Sequence, residues 1–172
     1  MKILIAEDES IIRLDLRGML EQAGYEVCAE ARNGAEAVQL ARETEPEAAV
    51  IDVRMPEMGG IEAVRRIVAE RPIPIVMLTA YADPGTVMDA IRAGVFAYVV
   101  KPFRESDLLP AIETARVRHD EWLRSRRDLG SSSERRNESL DVVIGDGRWP
   151  LRIERRRDGS IDVQLISSGE GS

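Results

Sequence analysis

Residues 48–53 read AAVIDV, a short apolar run, rich in β-branched side chains, that contains a single acid, Asp52. Runs of this length and character are typical of strands buried on both faces of a parallel sheet. Four other short runs are read as strands, at residues 2–6 (KILIA), 27–31, 73–79 (IPIVMLT) and 95–100 (VFAYVV). Because amphipathic segments separate them, the pattern predicts a doubly wound, five-stranded parallel α/β sheet with right-handed crossovers.

The amphipathic segments between these strands predict helices. Ser10 and Asn33 are plausible N-caps of the first two helices, and Gly94 is expected to end the fourth. The fifth helix begins near Leu108 and is expected to continue to about Asp128.

The C-terminal part of the chain has a different periodicity. Residues 130–137, GSSSERRN, read as a linker, and apolar residues then alternate with polar ones in three runs separated by Gly-Asp-Gly and Asp-Gly. The pattern predicts a small antiparallel β-meander. We therefore divide the chain into a first domain over 1–120, a helix extension and linker over 121–138, a meander of unknown role over 139–167 and a disordered tail over 168–172.

The composition excludes several classes of protein. The net charge is −7, with 20 acidic and 12 basic residues up to Ala115, so the overall field does not favour nucleic acid. Cys28 is the single cysteine, which excludes an intrachain disulfide and fits a reducing cytoplasm. The apolar run at the N-terminus is too short to span a membrane. The single histidine, His119, is expected to be a solvated helix residue.

Three acids follow strands of the predicted sheet. Glu7 and Asp8 come directly after the first strand, and Asp52 ends the third. The first and third strands can be neighbours in such a sheet, where their carboxyl ends share one edge. Converging carboxylates repel one another unless a cation lies among them, and oxygen ligands with open positions suit Mg²⁺. The sequence therefore predicts a magnesium site.

Two more polar residues end strands of the same sheet. Thr79 follows the fourth strand and Lys101 the fifth. A hydroxyl and an ammonium group near an aspartate nucleophile and a metal ion are what phosphoryl transfer requires, because that reaction depends on positioning and charge neutralisation. Each feature alone is weak evidence, and their joint occurrence on four strands is strong.

Four segments resemble the receiver domain of two-component response regulators. They are ILIAEDE at 3–9, IDVRMPEMGG at 51–60, VMLTA at 76–80 and FAYVVKPF at 96–103. The resemblance implies a flavodoxin-like receiver fold, and a phosphoryl group accepted on Asp52 from a sensor histidine kinase. The domain would catalyse its own phosphorylation and dephosphorylation and no other reaction.

The same resemblance implies a role for each site residue. Asp8 and Asp52 would bind Mg²⁺ directly, Glu7 would bind it through water, and the backbone carbonyl of Arg54 would be a further ligand. Lys101 would take part in phosphoryl transfer, with a cis bond to Pro102. Thr79 and Tyr98 look like the switch pair, in which a phosphate draws the hydroxyl and the aromatic ring turns inward.

The sequence leaves open what the chain does in response to phosphorylation. The first domain resembles most the receivers attached to ANTAR-type RNA-binding antiterminators, but the sequence after Arg127 does not show that output domain. The meander could mediate protein interaction or dimerisation, as could the face built by the fourth helix, fifth strand and fifth helix. Alternatively, the basic run RIERRR at 152–157 could contact RNA or DNA, or the tail could have no function. A small phosphohydrolase with an aspartate nucleophile is a further alternative, although Arg54 stands where such enzymes usually carry a second aspartate.

Overall fold

The structure is a computed structural model that describes residues 1–80, 84–128, 137–144, 147–155 and 161–165. The first domain alternates strands and helices along the chain. Its elements are β1 (Lys2–Ala6), α1 (Ser10–Gln22), β2 (Glu26–Ala31), α2 (Gly34–Thr44), β3 (Ala48–Asp52), α3 (Gly60–Glu70), β4 (Ile75–Thr79), α4 (Pro84–Ala93), β5 (Ala97–Val100) and α5 (Glu105–Asp128).

The five strands form one parallel sheet in the order β2-β1-β3-β4-β5. The predicted α/β class and the neighbouring first and third strands are therefore confirmed. Because β1 lies between β2 and β3, the loop after β1 sits beside the last residue of β3. This order brings the two acid-bearing strand ends together at the carboxyl edge of the sheet.

A layer of helices covers each face of the sheet. One core packs α2, α3 and α4 against side chains such as Leu4 and Ile51, and the other packs α1 and α5 against Ile3 and Val50. Successive residues of β1 and β3 thus serve opposite faces, and both faces are apolar. This is why these strands read as continuous apolar runs rather than as alternating ones.

Several predicted boundaries differ from those observed. Helix α1 begins at Ser10 itself, so its N-cap is Glu9 and the assignment of Ser10 as the cap was wrong. Asn33 is confirmed as the cap of α2, because its side chain accepts a hydrogen bond of 2.8 Å from the backbone N–H of Glu36. Helix α4 ends one residue before Gly94, whose φ of 102° is the left-handed conformation expected of glycine after a helix.

The expectation that His119 is solvated was wrong. Its side chain is only 6 % exposed, since α5 turns this residue toward the segment that precedes β5. The imidazole meets the ring of Phe96 edge to face, with 5.4 Å between centroids, and stacks on Trp122 at 6.0 Å. Burial lowers the pKa of His119 from its ordinary value, partly offset by a hydrogen bond to the backbone of Pro72.

The predicted C-terminal meander is present as three antiparallel strands in the order β6-β7-β8, over Asn137–Ile144, Gly147–Arg155 and Ile161–Leu165. Strand β6 begins two residues before the predicted boundary and contacts β5, the edge strand of the receiver sheet. Most of the predicted linker, the two turns and the tail after residue 167 lie outside the described residues. The domain boundaries therefore stay predictions.

Candidate functional site

The structure brings the three predicted acids together. Glu7 and Asp8 leave the end of β1 beside β3, where Ala6 pairs with Ile51 and the next residue is Asp52. One carboxylate oxygen from each of the three acids lies within 4.8 Å of the others. Glu7 is 0 % exposed and Asp52 4 % exposed, whereas Asp8 is open to solvent. A buried pair of carboxylates with an accessible third one thus occupies the carboxyl edge of the sheet.

Lys101 places a positive charge between the two buried acids. Its Nζ lies 2.7 Å from Oε2 of Glu7 and 2.8 Å from Oδ1 of Asp52, and its side chain is 13 % exposed. The backbone N–H of Lys101 donates a hydrogen bond of 2.7 Å to the carbonyl of Thr79, and the bond to Pro102 is cis, as predicted. The end of β5 is thereby tied to the end of β4, with the ammonium group facing β1 and β3.

The second oxygen of Asp52 is held by the backbone. The N–H of Arg54 donates to Oδ2 at 2.9 Å, so Asp52 has one oxygen on the main chain and the other on Lys101. The loop that follows β3 returns close beneath this residue. A Cβ atom built on Gly60 would lie 1.9 Å from the carbonyl oxygen of Asp52, so only glycine fits there. Sequence reasoning missed this requirement, although the Gly-Gly pair at 59–60 was a signal for it.

Burial and the shared ammonium group act against each other on the titration of the site. Desolvation raises the pKa of Asp52 and of Glu7 above their ordinary values, although the hydrogen bonds from Lys101 oppose it. Burial alone would lower the pKa of Lys101, but its bonds to both carboxylates raise the pKa overall. Three carboxylates lie together and one ammonium group is bonded to two of them, so the site carries an excess of negative charge once all three are ionised.

Arg13, on the first turn of α1, is a further residue of the site that sequence reasoning missed. Its Nη1 donates to the carbonyl of Glu7 at 2.6 Å and approaches the carbonyl of Asp8 at 3.4 Å. The backbone N–H of Glu7 donates to the carbonyl of Ala31 on β2 at 3.0 Å. The acidic loop is therefore anchored on both sides. A basic residue five positions after an acidic pair carried no distinctive signal in the sequence.

The predicted switch residues both lie in the core of the first domain. Thr79 is the buried last residue of β4, at the same edge of the sheet as Asp52. Tyr98 is buried on the edge strand β5, in the core that contains α4. The ring is thus more enclosed than a half-buried edge-strand aromatic would be, and it points into the domain.

The donor set fits Mg²⁺. All three side chains offer carboxylate oxygens, the hard ligands that this ion prefers, and one of them is accessible from solvent. A divalent cation would balance the negative charge that Lys101 alone leaves. Asp8 and Asp52 would hold the ion directly, with the fully buried Glu7 behind them. When bound, the ion would supply charge neutralisation for an incoming phosphoryl group.

Comparison with known proteins points to the same family as the sequence motifs. The family described as the response regulator receiver domain matches residues 3–113. A transcriptional regulatory protein from Mycobacterium tuberculosis, PdtaR, is 46 % identical over 134 residues, which cover 78 % of this chain and 65 % of that protein. The chemotaxis protein CheY of Listeria monocytogenes is 38 % identical over 116 residues, covering 67 % of this chain and 98 % of CheY. The match to PdtaR thus spans a little less than two thirds of that regulator.

The fold is likewise that of solved receivers. The signal receiver domain of a modulated diguanylate cyclase from Desulfovibrio desulfuricans superimposes with a TM-score of 0.65 at 32 % identity, covering 70 % of this chain and 97 % of that one. The predicted resemblance and the flavodoxin-like receiver fold are therefore confirmed. Within the described residues, no helix is both long and apolar enough to cross a membrane.

Proposed function

This chain belongs to the response regulator receiver domain family of two-component signal transduction, and from that premise we propose that Asp52 is its phosphoacceptor. The phosphoryl group would come from a sensor histidine kinase, with Mg²⁺ bound beside the acceptor. The observation that carries the proposal is the ion pair of Lys101 with both Asp52 and Glu7 at the edge of the sheet where Asp8 is exposed. The proposed nucleophile, an ammonium group and the candidate metal ligands lie together there.

The chain's own residues account for the transfer. One carboxylate oxygen of Asp52 forms a bond to phosphorus while the bond between phosphorus and the donor nitrogen breaks, which leaves an acyl phosphate. Lys101 opposes the rise in the Asp52 pKa that burial causes, and its ammonium group lies 2.8 Å from the carboxylate that would accept the phosphoryl group. The Arg54 N–H fixes the carboxylate plane. Such preorganised charge is the main contribution that a protein makes to phosphoryl transfer.

The signal would leave the site through Thr79 and Tyr98. The Thr79 hydroxyl would donate a hydrogen bond to a phosphoryl oxygen. The backbone carbonyl of Thr79 already accepts a hydrogen bond from the backbone N–H of Lys101. A shift of Thr79 would therefore act on β5, which carries Tyr98, and on the face built by α4, β5 and α5. This face is proposed to bind a partner or a second copy of the chain in a phosphorylation-dependent way, in the cytoplasm.

The meander is proposed to serve in protein interaction, since β6 contacts β5 at this same face. The competing proposal is a nucleic-acid contact through residues 152–157. Deletion of the residues after 130 separates the two. We expect it to leave phosphorylation intact and to change the oligomeric state or partner binding, whereas a loss of RNA or DNA binding would favour the alternative. No effect on any of these would indicate a tail without function.

Replacement of the acceptor tests the proposed function. We expect Asp52→Asn to abolish labelling by acetyl phosphate in Mg²⁺, because an amide cannot form the acyl phosphate. Asp15→Asn, which alters an exposed aspartate on α1, is the matched control and should be labelled normally. Full labelling of Asp52→Asn would identify another acceptor. Continuous release of phosphate from the donor without accumulation of a phosphorylated chain would favour a phosphohydrolase instead.

A further inference from the structure

Arg13 connects the acidic loop to the neighbouring edge strand. Its side chain is only 12 % exposed although it belongs to a surface helix. On one side the guanidinium donates to the backbone of the loop, at 2.6 Å from the carbonyl of Glu7. On the other side its Nε lies 3.6 Å from Glu30 of β2. One planar group thus links the loop that bears the acids to an element outside the site.

The far end of this connection is itself fixed. The second oxygen of Glu30 lies 3.0 Å from Nη1 of Arg17, one turn further along α1, and Arg17 also pairs with Glu21 at 2.9 Å. The four side chains form a network of two positive and two negative charges, in which Glu30 lies beside both arginines. Arg17 belongs to the same network but is about half exposed, and its hydrogen bonds go to Glu21 and Glu30 rather than to the acidic loop.

We propose that Arg13 is a positioning residue for the divalent-cation site. It fixes the backbone between Glu7 and Asp8, and thereby sets the distance of the Asp8 carboxylate from Asp52. The inference rests on the proposed magnesium site and adds to it a residue that does not touch the ion. Mg²⁺ requires near-octahedral ligands at about 2.0–2.1 Å, so a small displacement of the loop is costly for binding.

Two effects of removing Arg13 have opposite signs. Loss of a positive charge near the site would strengthen cation binding, whereas loss of the hydrogen bond to the Glu7 carbonyl would loosen the loop and weaken it. The second effect should dominate, because Glu21 and Glu30 together balance the charges of Arg13 and Arg17, and the bond to the Glu7 carbonyl is short and partly buried. The sign of the change in Mg²⁺ affinity therefore distinguishes positioning from simple electrostatics.

The test compares Arg13→Met and Arg13→Lys with the control Arg66→Met, which removes a half-exposed arginine of α3 that pairs with Glu62, using the full chain. Calorimetric titration with Mg²⁺ alone should show affinity weakened by about tenfold in Arg13→Met, which corresponds to about 1.4 kcal/mol, the scale of one hydrogen bond to a charged group. Arg13→Lys should fall between this variant and the wild type, since one ammonium group cannot contact the loop and Glu30 together. Arg66→Met should bind Mg²⁺ as the wild type does.

Labelling by acetyl phosphate supplies an independent measurement. The Mg²⁺ concentration for half-maximal labelling should rise in Arg13→Met, while the rate at saturating Mg²⁺ is restored, because the acceptor and Lys101 are untouched. Unchanged or tighter Mg²⁺ binding in Arg13→Met would overturn the inference, and if that variant does not fold, unchanged binding in Arg13→Lys would do so. A wild-type chain that neither binds Mg²⁺ nor is labelled on Asp52 would instead refute the proposed function.

Discussion

Replacing Lys101 with methionine should destabilise the protein strongly, and by an amount that depends on pH. The ammonium group lies 2.7 Å from Glu7 and 2.8 Å from Asp52, which are both buried. Without it, two carboxylates at most 4.8 Å apart repel each other by at least about 3.5 kcal/mol at an effective dielectric constant of about 20. Breaking a buried ion pair by removing one partner costs about 3–5 kcal/mol, so we expect a loss of that size at pH 7.

The loss should shrink as the pH falls. Burial already raises the pKa of both carboxyls above their ordinary values of 3.8 and 4.5, and removal of Lys101 raises each pKa further. A carboxyl whose pKa is higher in the folded state than in the unfolded state favours folding below its ordinary pKa. It loses that contribution as the pH rises through the folded-state value. The difference between variant and wild type should therefore be smaller at pH 5 than at pH 7.

Urea unfolding followed by far-UV circular dichroism measures this difference at the two pH values. Lys2→Met, which alters an exposed lysine on β1, is the matched control and should change the free energy of unfolding by less than about 0.5 kcal/mol. A loss below about 1 kcal/mol for Lys101→Met at pH 7 is the value of a surface ion pair, and it would refute the reasoning. An equal loss at pH 5 and pH 7 would contradict the assigned cause.

Three further predictions concern the loop after β3, the metal and the aromatic cluster. Gly60→Ala should lower the free energy of unfolding by about 1–3 kcal/mol or more and impair labelling of Asp52, because its Cβ would lie 1.9 Å from a backbone oxygen. The control Gly59→Ala should have a small effect on both quantities, because its Cβ would lie 3.4 Å from the nearest atom. At a Mg²⁺ concentration one hundred times the dissociation constant, the ion should stabilise the wild type by about 2.7 kcal/mol. In thermal unfolding, Mg²⁺ should raise the midpoint temperature of Asp8→Asn much less than that of the wild type. Burial lowers the pKa of His119, so this residue contributes stability above its ordinary pKa of 6.5 that is lost as the pH falls. His119→Phe should therefore flatten the decline in unfolding free energy between pH 7 and pH 5, and an unchanged slope would exclude His119 as its source.

The arrangement of the acids and of Lys101 could be foreseen because it depends on local features. Each of these residues directly follows an apolar run, and in a parallel sheet the ends of all such runs share one edge. A doubly wound sheet allows β1 and β3 to be neighbours, and the observed strand order shows that they are. Strand character and the expected class of sheet therefore indicated, before any distance was known, that Asp52 could lie near Glu7.

Arg13, Gly60 and His119 were missed because their roles depend on how separate elements approach one another. Arg13 contacts Glu7, six positions before it, and Glu30, seventeen positions after it. These residues share neither a motif nor a periodic face, so spacing alone could not join them. Gly60 is required by the return of its loop to within contact of the Asp52 carbonyl. His119 is buried because α5 continues beside Phe96, a contact between residues 23 positions apart.

The central claim is that acids from β1 and β3 form one site for a hard cation beside Lys101. Crystals of the full chain grown with Mn²⁺, a substitute for Mg²⁺ that scatters anomalously, test it most directly. We expect an anomalous difference peak bounded by the carboxylates of Asp8 and Asp52, with Glu7 behind it, and no such peak for Asp52→Asn. A peak at another place on the chain, or no peak at this edge at Mn²⁺ concentrations far above those at which binding is detected in solution, would contradict the account.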